Sequence, residues 1–244
     1  MTYCVAMKLN SGMVFLSDSR TNAGVDHIAT FQKMYFFSKP DERVIVVMSA
    51  GNLATTQSIM SLLKARIADS EHSILTVKSL YEVAELVGET MREVVARDAQ
   101  GQQSQGVDFS CSLLVGGQIK GEEMRLFNIY PQGNFIEATF DTPYFQIGES
   151  KYGKPILDRA LKYHTPLGEG LKSGLISFDS TMKSNLSVGL PLDMAVYKAD
   201  QFALHLHQRF YEDDAYLMTI RHQWSEGLKN LLAELPPPTF IDLD

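Results

Sequence analysis

The chain has 244 residues, 45% of them hydrophobic, with 22 Lys and Arg against 29 Asp and Glu for a net charge of −7. That is ordinary globular composition, and a single α/β domain of this length buries about three quarters of its unfolded surface. The acidic balance and the scatter of the basic residues argue against a nucleic-acid or anionic-membrane partner.

The chain starts with two apolar runs, residues 3–9 (YCVAMKL) and 13–17 (MVFLS), on either side of Asn10-Ser11-Gly12. This is a strand, tight turn, strand signal. The polar stretch SRTNAGVD after Asp18 reads as a loop, and KMYFF (33–37) and RVIVVMS (43–49) as a second strand pair around SKPDE. These runs are apolar at consecutive positions, as expected of strands covered on both faces.

Ala50-Gly51-Asn52 opens a helical pattern to about Ala68, and a second helix is predicted over about 76–98. AQGQQSQG (99–106) reads as a polar linker, followed by strands at about 108–116, 123–130 and 134–138, with turns at Gly116-Gly117 and Pro131-Gln132-Gly133. The run YFQI ends at Gly148. Helices are predicted over 151–164 and 168–183, strands over 192–199 and 201–208, and a last helix over 211–234. Proline in LPPPTFIDLD cannot continue a helix, so the tail from about 235 is expected to be extended. Alternating blocks of strands and helix pairs argue for stacked layers, with helices covering both outer faces of a sheet sandwich. No internal repeat or obvious linker divides the chain, so one domain over 1–244 is expected.

The N-terminus MTYCVAMKLNSG lacks a basic segment followed by a long apolar one, and no window reaches the roughly 18 apolar residues of a membrane span. A cytoplasmic, membrane-free protein is expected. Cys4 and Cys111 are far apart, outside any CxxC pattern and within strand-like runs, which reads as buried reduced thiols. Nothing near Cys4 suggests a thiolate nucleophile. His205 and His207 flank Leu206 in a strand pattern, but no third ligand completes a metal set, so an ordinary strand face is the simpler reading. GxSxG, Walker, HExxH and GxGxxG signatures are all missing.

What remains is Thr2. A threonine behind the initiator methionine is small enough for methionine removal, and a free N-terminal threonine carries a hydroxyl nucleophile together with an α-amine base of pKa about 7.7–8.0. Many chains begin Met-Thr by chance, so Thr2 alone decides nothing. The stretch TYCVAMKLNSGMVFLSDSRT, however, resembles the proteasome β-subunit family of N-terminal-nucleophile hydrolases. It has a leading Thr, a hairpin ending in Asp18-x-Arg20 with Asp18 sixteen residues beyond Thr2, and Lys33 after a loop, one residue short of the family spacing. SAGNLATTQ resembles the family's turn into its first helix. GESKYGKPILDRAL, SFDSTMKSNLSVGLPLDM and the proline-rich tail are similar to the bacterial Anbu (ancestral β-subunit) branch, so the resemblance spans nearly the whole chain.

The resemblance implies an α+β fold, a four-layer αββα sandwich, and self-assembly into a ring-like or spiral homo-oligomer. It also implies a threonine peptidase acting on peptides or unfolded chains. Thr2 would be the nucleophile, Lys33 the cation beside it, Asp18 the partner of Lys33, and Gly51 an oxyanion-hole donor. None of this calls for a cofactor or metal, and no residue here identifies an ATP-driven partner. Two supports depart from the family pattern. Gly148-Glu149-Ser150 stands for Gly-Ser-Gly, so the helper is either Ser150 or Glu149. Asn185-Leu186-Ser187 stands for Asp-x-x-Ser, with a neutral Asn185 and an early Ser187. These departures keep two alternatives open: a scaffold of the same fold with weak catalysis, and an amidase of small molecules.

Overall fold

The structure is a computed structural model and describes residues 2–22, 28–69, 71–99 and 108–239. In chain order the strands and helices are β1 (Tyr3–Leu9), β2 (Gly12–Asp18), β3 (Arg20–Asn22), β4 (Ile28–Thr30), β5 (Met34–Lys39), β6 (Arg43–Gly51), α1 (Leu53–Asp69) and α2 (Leu80–Ala99). They continue with β7 (Cys111–Ile119), β8 (Arg125–Ile129), β9 (Phe135–Glu137), β10 (Tyr144–Gly148), α3 (Lys154–Ala160), α4 (Leu167–Ser184), β11 (Leu192–Lys198), β12 (Leu204–Phe210) and α5 (Ala215–Glu234). One five-stranded sheet has the order β10-β1-β2-β11-β12, the other β5-β6-β7-β8-β9, and β3-β4 form a short ribbon. Every pairing in them is antiparallel.

Side-chain alternation explains why the strand runs are apolar throughout. In β1, Tyr3, Val5, Met7 and Leu9 face a core shared with α3, α4 and α5, whereas Cys4 and Ala6 face the other sheet. In β6, Ile45 and Val47 pack under α1 and α2, and Val44, Val46 and Met48 point between the sheets. Away from the edge strands β9 and β12, whose side chains are largely half-buried or exposed, each sheet is buried on both faces, and the layers run helix, sheet, sheet, helix. This is the four-layer αββα sandwich.

Several boundaries differ from the sequence reading. Gly116 and Gly117 are not a turn but lie inside β7. A Cβ on Gly116 would sit 2.8 Å from Met13 Cε and 2.9 Å from Phe15 Cε1, so the glycine lets the two sheets approach. The stretch expected as a loop after Asp18 contributes β3, with Arg20 paired to Thr30, while residues 23–27 lie outside the described residues. The second helix starts at Leu80 rather than 76 because Ser79 Oγ accepts the Glu82 amide at 3.1 Å and the Glu82 carboxylate accepts the Lys78 amide at 2.8 Å. The helix expected over 151–164 is only α3, entered through Gly153 and Pro155 and ended by an extended Leu161. Most of the predicted linker 99–106 and the end of the tail, 240–244, also lie outside the described residues.

Candidate active site

The β1–β2 hairpin fixes the first two members of the site. Its register places Cys4 opposite Ser17, which brings the Tyr3 amide against Asp18, and that N–H donates to Asp18 Oδ1 at 3.0 Å. Lys33, just before β5 in the other sheet, donates from Nζ to the same oxygen at 2.9 Å and to the Arg20 carbonyl at 2.5 Å. Asp18 is fully buried and Lys33 is 4% exposed, so this ion pair joins the two sheets across the sandwich. The Lys33 carbonyl is itself held, accepting the Ser49 amide of β6 at 2.9 Å.

Burial pushes the Asp18 carboxyl above the usual carboxylate range, and the Lys33 ammonium and the Tyr3 amide oppose that rise. The Gly189 amide lies against the same carboxylate, although Oδ2 has no hydrogen bond of normal geometry. Arg20 donates from Nη1 to the Leu186 carbonyl at 3.1 Å, and its guanidinium lies on Gly189, where a Cβ would come within 2.3 Å of Cζ. The Asp-x-Arg pair therefore divides its work: Asp18 faces Lys33, and Arg20 ties β3 to the segment between α4 and β11.

Thr2, Lys33 and Gly51 line one cleft of about 360 Å³, with Thr21, Leu53, Thr56 and Gly148 also on its walls. Gly51 ends β6 with φ +113°, and a Cβ there would stand 2.6 Å from the Ser110 carbonyl, so only glycine fits this bend. Asn52 follows and caps α1, its Oδ1 accepting the Thr55 amide at 3.1 Å. Gly148, φ +80°, closes the opposite side, where a Cβ would lie 2.0 Å from the Thr2 carbonyl. The next amide, Glu149 N–H, donates to that carbonyl at 2.7 Å.

The two ambiguous supports also have definite places. Glu149 is 6% exposed and accepts the Asn185 side-chain amide at 2.9 Å, and Asn185 Oδ1 accepts the Ser187 amide at 2.9 Å. Ser150 instead lines a separate, larger cleft of about 720 Å³ that contains none of Thr2, Asp18, Lys33 or Gly51. The larger cleft thus holds none of the four residues, whereas the smaller one brings Thr2, Lys33 and Gly51 together. The structure adds partners the sequence reading did not name: the Arg20 carbonyl that receives Lys33, and Thr21, whose Oγ1 is buried without a hydrogen bond at the cleft. A backbone carbonyl leaves no trace in residue type.

The cysteines are buried and free, and burial pushes the Cys111 thiol up to about 12 and the Cys4 thiol higher still, which suits inert core thiols. His205 and His207 lie on the exposed β12, where the His207 ring packs against Phe36, and no cluster of three or more potential ligands occurs among the described residues.

A family model described as proteasome subunit matches residues 2–196. The chain belongs to the proteasome subunit family. Within it, the chain is 60% identical to Anbu (ancestral β-subunit) from Yersinia bercovieri, covering 98% of this chain and 100% of that one with a TM-score of 0.93. It is 56% identical to the subunit of a helical assembly of the Anbu complex from Pseudomonas aeruginosa, covering 98% and 100% with a TM-score of 0.94. With Anbu from Hyphomicrobium sp. strain MC1 the identity is 44%, over 99% and 100%, with a TM-score of 0.88. A comparison with curated proteins returns no match. This proteasome subunit is thus similar to Anbu over its whole length, and no helix among its described residues is long and apolar enough to cross a membrane.

Proposed function

We propose that this proteasome subunit is a threonine peptidase whose nucleophile, Thr2, becomes the N-terminus when Met1 is removed. The observation that carries this reading is the buried Lys33 ammonium, held at 2.9 Å by Asp18 and opening into the cleft that Thr2 and Gly51 share. In the reaction, Thr2 Oγ attacks the substrate carbonyl carbon and its proton passes to the α-amine. The amine then protonates the leaving nitrogen, and water hydrolyses the resulting ester on the same base. Lys33 favours the oxyanionic form of Thr2 by charge, and the Gly51 N–H receives the carbonyl oxygen as it becomes negative, an interaction whose loss typically costs about 10²–10³ in rate.

The substrate class follows from the same resemblance: peptide bonds in peptides or unfolded chains, confined within a homo-oligomer. The helical assembly formed by the Pseudomonas aeruginosa relative supports self-association of this chain. Neutral Asn185 favours the second reading, a scaffold of this fold with weak turnover.

Two measurements separate the readings. Intact mass should show loss of Met1, and a fluorogenic peptide should be cleaved by the wild type but not by Lys33→Ala. Retained Met1, or equal cleavage by the Lys33→Ala protein, would sink the peptidase reading; a mature but unreactive chain would leave the scaffold.

A further inference from the structure

Strand β10 is an outer strand of its sheet, with β1 on one side only. The bonds at its two ends fix which backbone groups point where. Lys8 N–H donates to the Pro143 carbonyl at 2.7 Å, and Glu149 N–H donates to the Thr2 carbonyl at 2.7 Å. A trans peptide turns its N–H and C=O opposite ways, so the Tyr144 N–H and the Gly148 carbonyl point away from β1. The register between them, from Met7 opposite Tyr144 to Tyr3 opposite Gly148, is unbroken and carries that alternation through Gln146. The main-chain N–H and C=O of Tyr144, Gln146 and Gly148 therefore face outward. None of them takes a partner among the described residues.

The other outer strands of the two large sheets are blunted. β12 carries Arg209 and pairs with β11 through an irregularity between Val196 and Tyr197, β5 ends in Lys39, and β9 is three residues long with Glu137. β10 has no charged residue and no proline. Gly148 is exposed and Tyr144 and Gln146 are half-buried, whereas Phe145 and Ile147 between them are buried. A regular, uncharged outer strand accepts a further strand, and this is one way in which proteins hold extended peptides.

The cleft of about 720 Å³ lies between this strand and α3, with Tyr144 and Gln146 on one wall and Lys154 and Asp158 on the other. Lys154 and Asp158 are paired at 2.7 Å, so that wall offers little net charge to a ligand. At the end near Leu9, where the Tyr163 carbonyl accepts the Asn10 amide, Phe140, Tyr163 and His164 form a wall of three rings. Their centroids are 5.2, 5.4 and 5.3 Å apart, and Phe140 is 60% exposed. At the other end of β10, Gly148 lines the cleft of Thr2.

We propose that an extended peptide adds to β10 as a sixth, antiparallel strand of this five-stranded sheet. An aromatic or large apolar side chain of that peptide packs against Phe140, Tyr163 and His164. The main-chain bonds supply affinity and the rings supply preference. Antiparallel addition runs the peptide from Gly148 toward Tyr144 in its own N-to-C direction, away from Thr2. The segment held there is the one on the C-terminal side of the bond that Thr2 cuts. That placement rests on the peptidase reading and deepens it, whereas the strand addition stands without it.

The test is fluorescence anisotropy on Thr2→Ala protein, from which the proposed nucleophile is removed. The probe is a fluorescein-labelled nonapeptide of alternating valine and threonine, with a phenylalanine near its C-terminus that pins the register. Two further peptides are N-methylated at every second residue, in the two complementary registers. Only residues opposite Tyr144, Gln146 and Gly148 turn an N–H toward β10. One methylated peptide should therefore lose about tenfold or more in affinity, and the other should stay within about twofold of the parent. Adding Phe140→Ser should weaken the parent peptide about tenfold. Residue-level hydrogen exchange should find the Tyr144, Gln146 and Gly148 amides fast in the free protein and slowed by the peptide.

Equal binding of the two methylated peptides, or no binding of the parent, overturns the proposal. So do edge amides protected in the free assembly and released only on its dissociation, because a second copy then occupies the edge. Undiminished binding with Phe140→Ser overturns the ring wall as the anchor; the methylation comparison does not depend on that variant folding. Register-dependent binding to Thr2→Ala, with no cleavage by the wild type, supports the added strand and overturns only the peptidase reading. Cleavage by the wild type with equal binding of the methylated peptides overturns only the added strand.

Discussion

Asp18 holds its position by two donors on one oxygen, the Lys33 ammonium and the Tyr3 amide, and is itself fully buried. Since burial raises its folded-state pKa above the unfolded value, the ionised form subtracts from stability at neutral pH, and that penalty is relieved as pH falls through the raised value. Protonation at that point also releases Lys33. Turnover should therefore fall, on acidification, at a pH above the ordinary carboxylate value of about 3.9, while this group causes no loss of melting temperature over the same interval; paired rate and thermal-melting profiles check it. Asp18→Asn, a neutral isostere, should likewise remove most peptide cleavage at neutral pH with little loss in chemical denaturation, because the charge that burial penalises is gone. Gly51→Ala strains a backbone at φ +113° and sets a methyl 2.6 Å from the Ser110 carbonyl. It should destabilise by about 1–3 kcal/mol and lower kcat about 10²-fold, by stopped-flow cleavage and thermal melts. At this scale the sequence was informative where charge and spacing coincide, as at Asp18, Arg20 and Lys33. It was ambiguous at Glu149 and Ser150, because only the fold separates one residue that caps Thr2 from a neighbour that lines another cleft.

The hairpin of β1 and β2 and the helices α2 and α4 were legible because a Gly-containing turn and helical apolar spacing are local signals. Ser79 and Glu82 also formed a readable start signal for α2, yet periodicity alone extended that helix forward to residue 76. Gly116 and Gly117 looked like a turn because their reason for being glycine, contact with Met13, Phe15 and the Val44 carbonyl, lies on other strands. A tertiary cause has no local trace. Helix α5 shows the opposite balance: it buries only Leu217 and Ile220, so its start depends on the Asp214 side chain that accepts the Leu217 amide at 2.9 Å. Asp214→Ala should cost about 1 kcal/mol and speed amide exchange in the first turn of α5 without changing peptide cleavage, as hydrogen-exchange mass spectrometry would show.

Across the molecule, the two sheets pack face to face, so the candidate site is assembled from parts that a single layer could not bring together. Thr2 and Asp18 come from one sheet, Lys33 and Gly51 from the other, and the ion pair between Asp18 and Lys33 crosses the gap. The helices of the two outer layers take no part in that cleft beyond the first turn of α1. Changes to Thr2, the proposed nucleophile, should accordingly leave the size of any assembly untouched. The most direct measurement is peptide mapping of the purified assembly after treatment with a β-lactone, with its mass followed by analytical ultracentrifugation. The expected result is one adduct on Thr2 in wild type and none in Thr2→Ala, with the same sedimentation for both. A fully mature Thr2 that carries no adduct, or an adduct that persists in Thr2→Ala, would contradict the account.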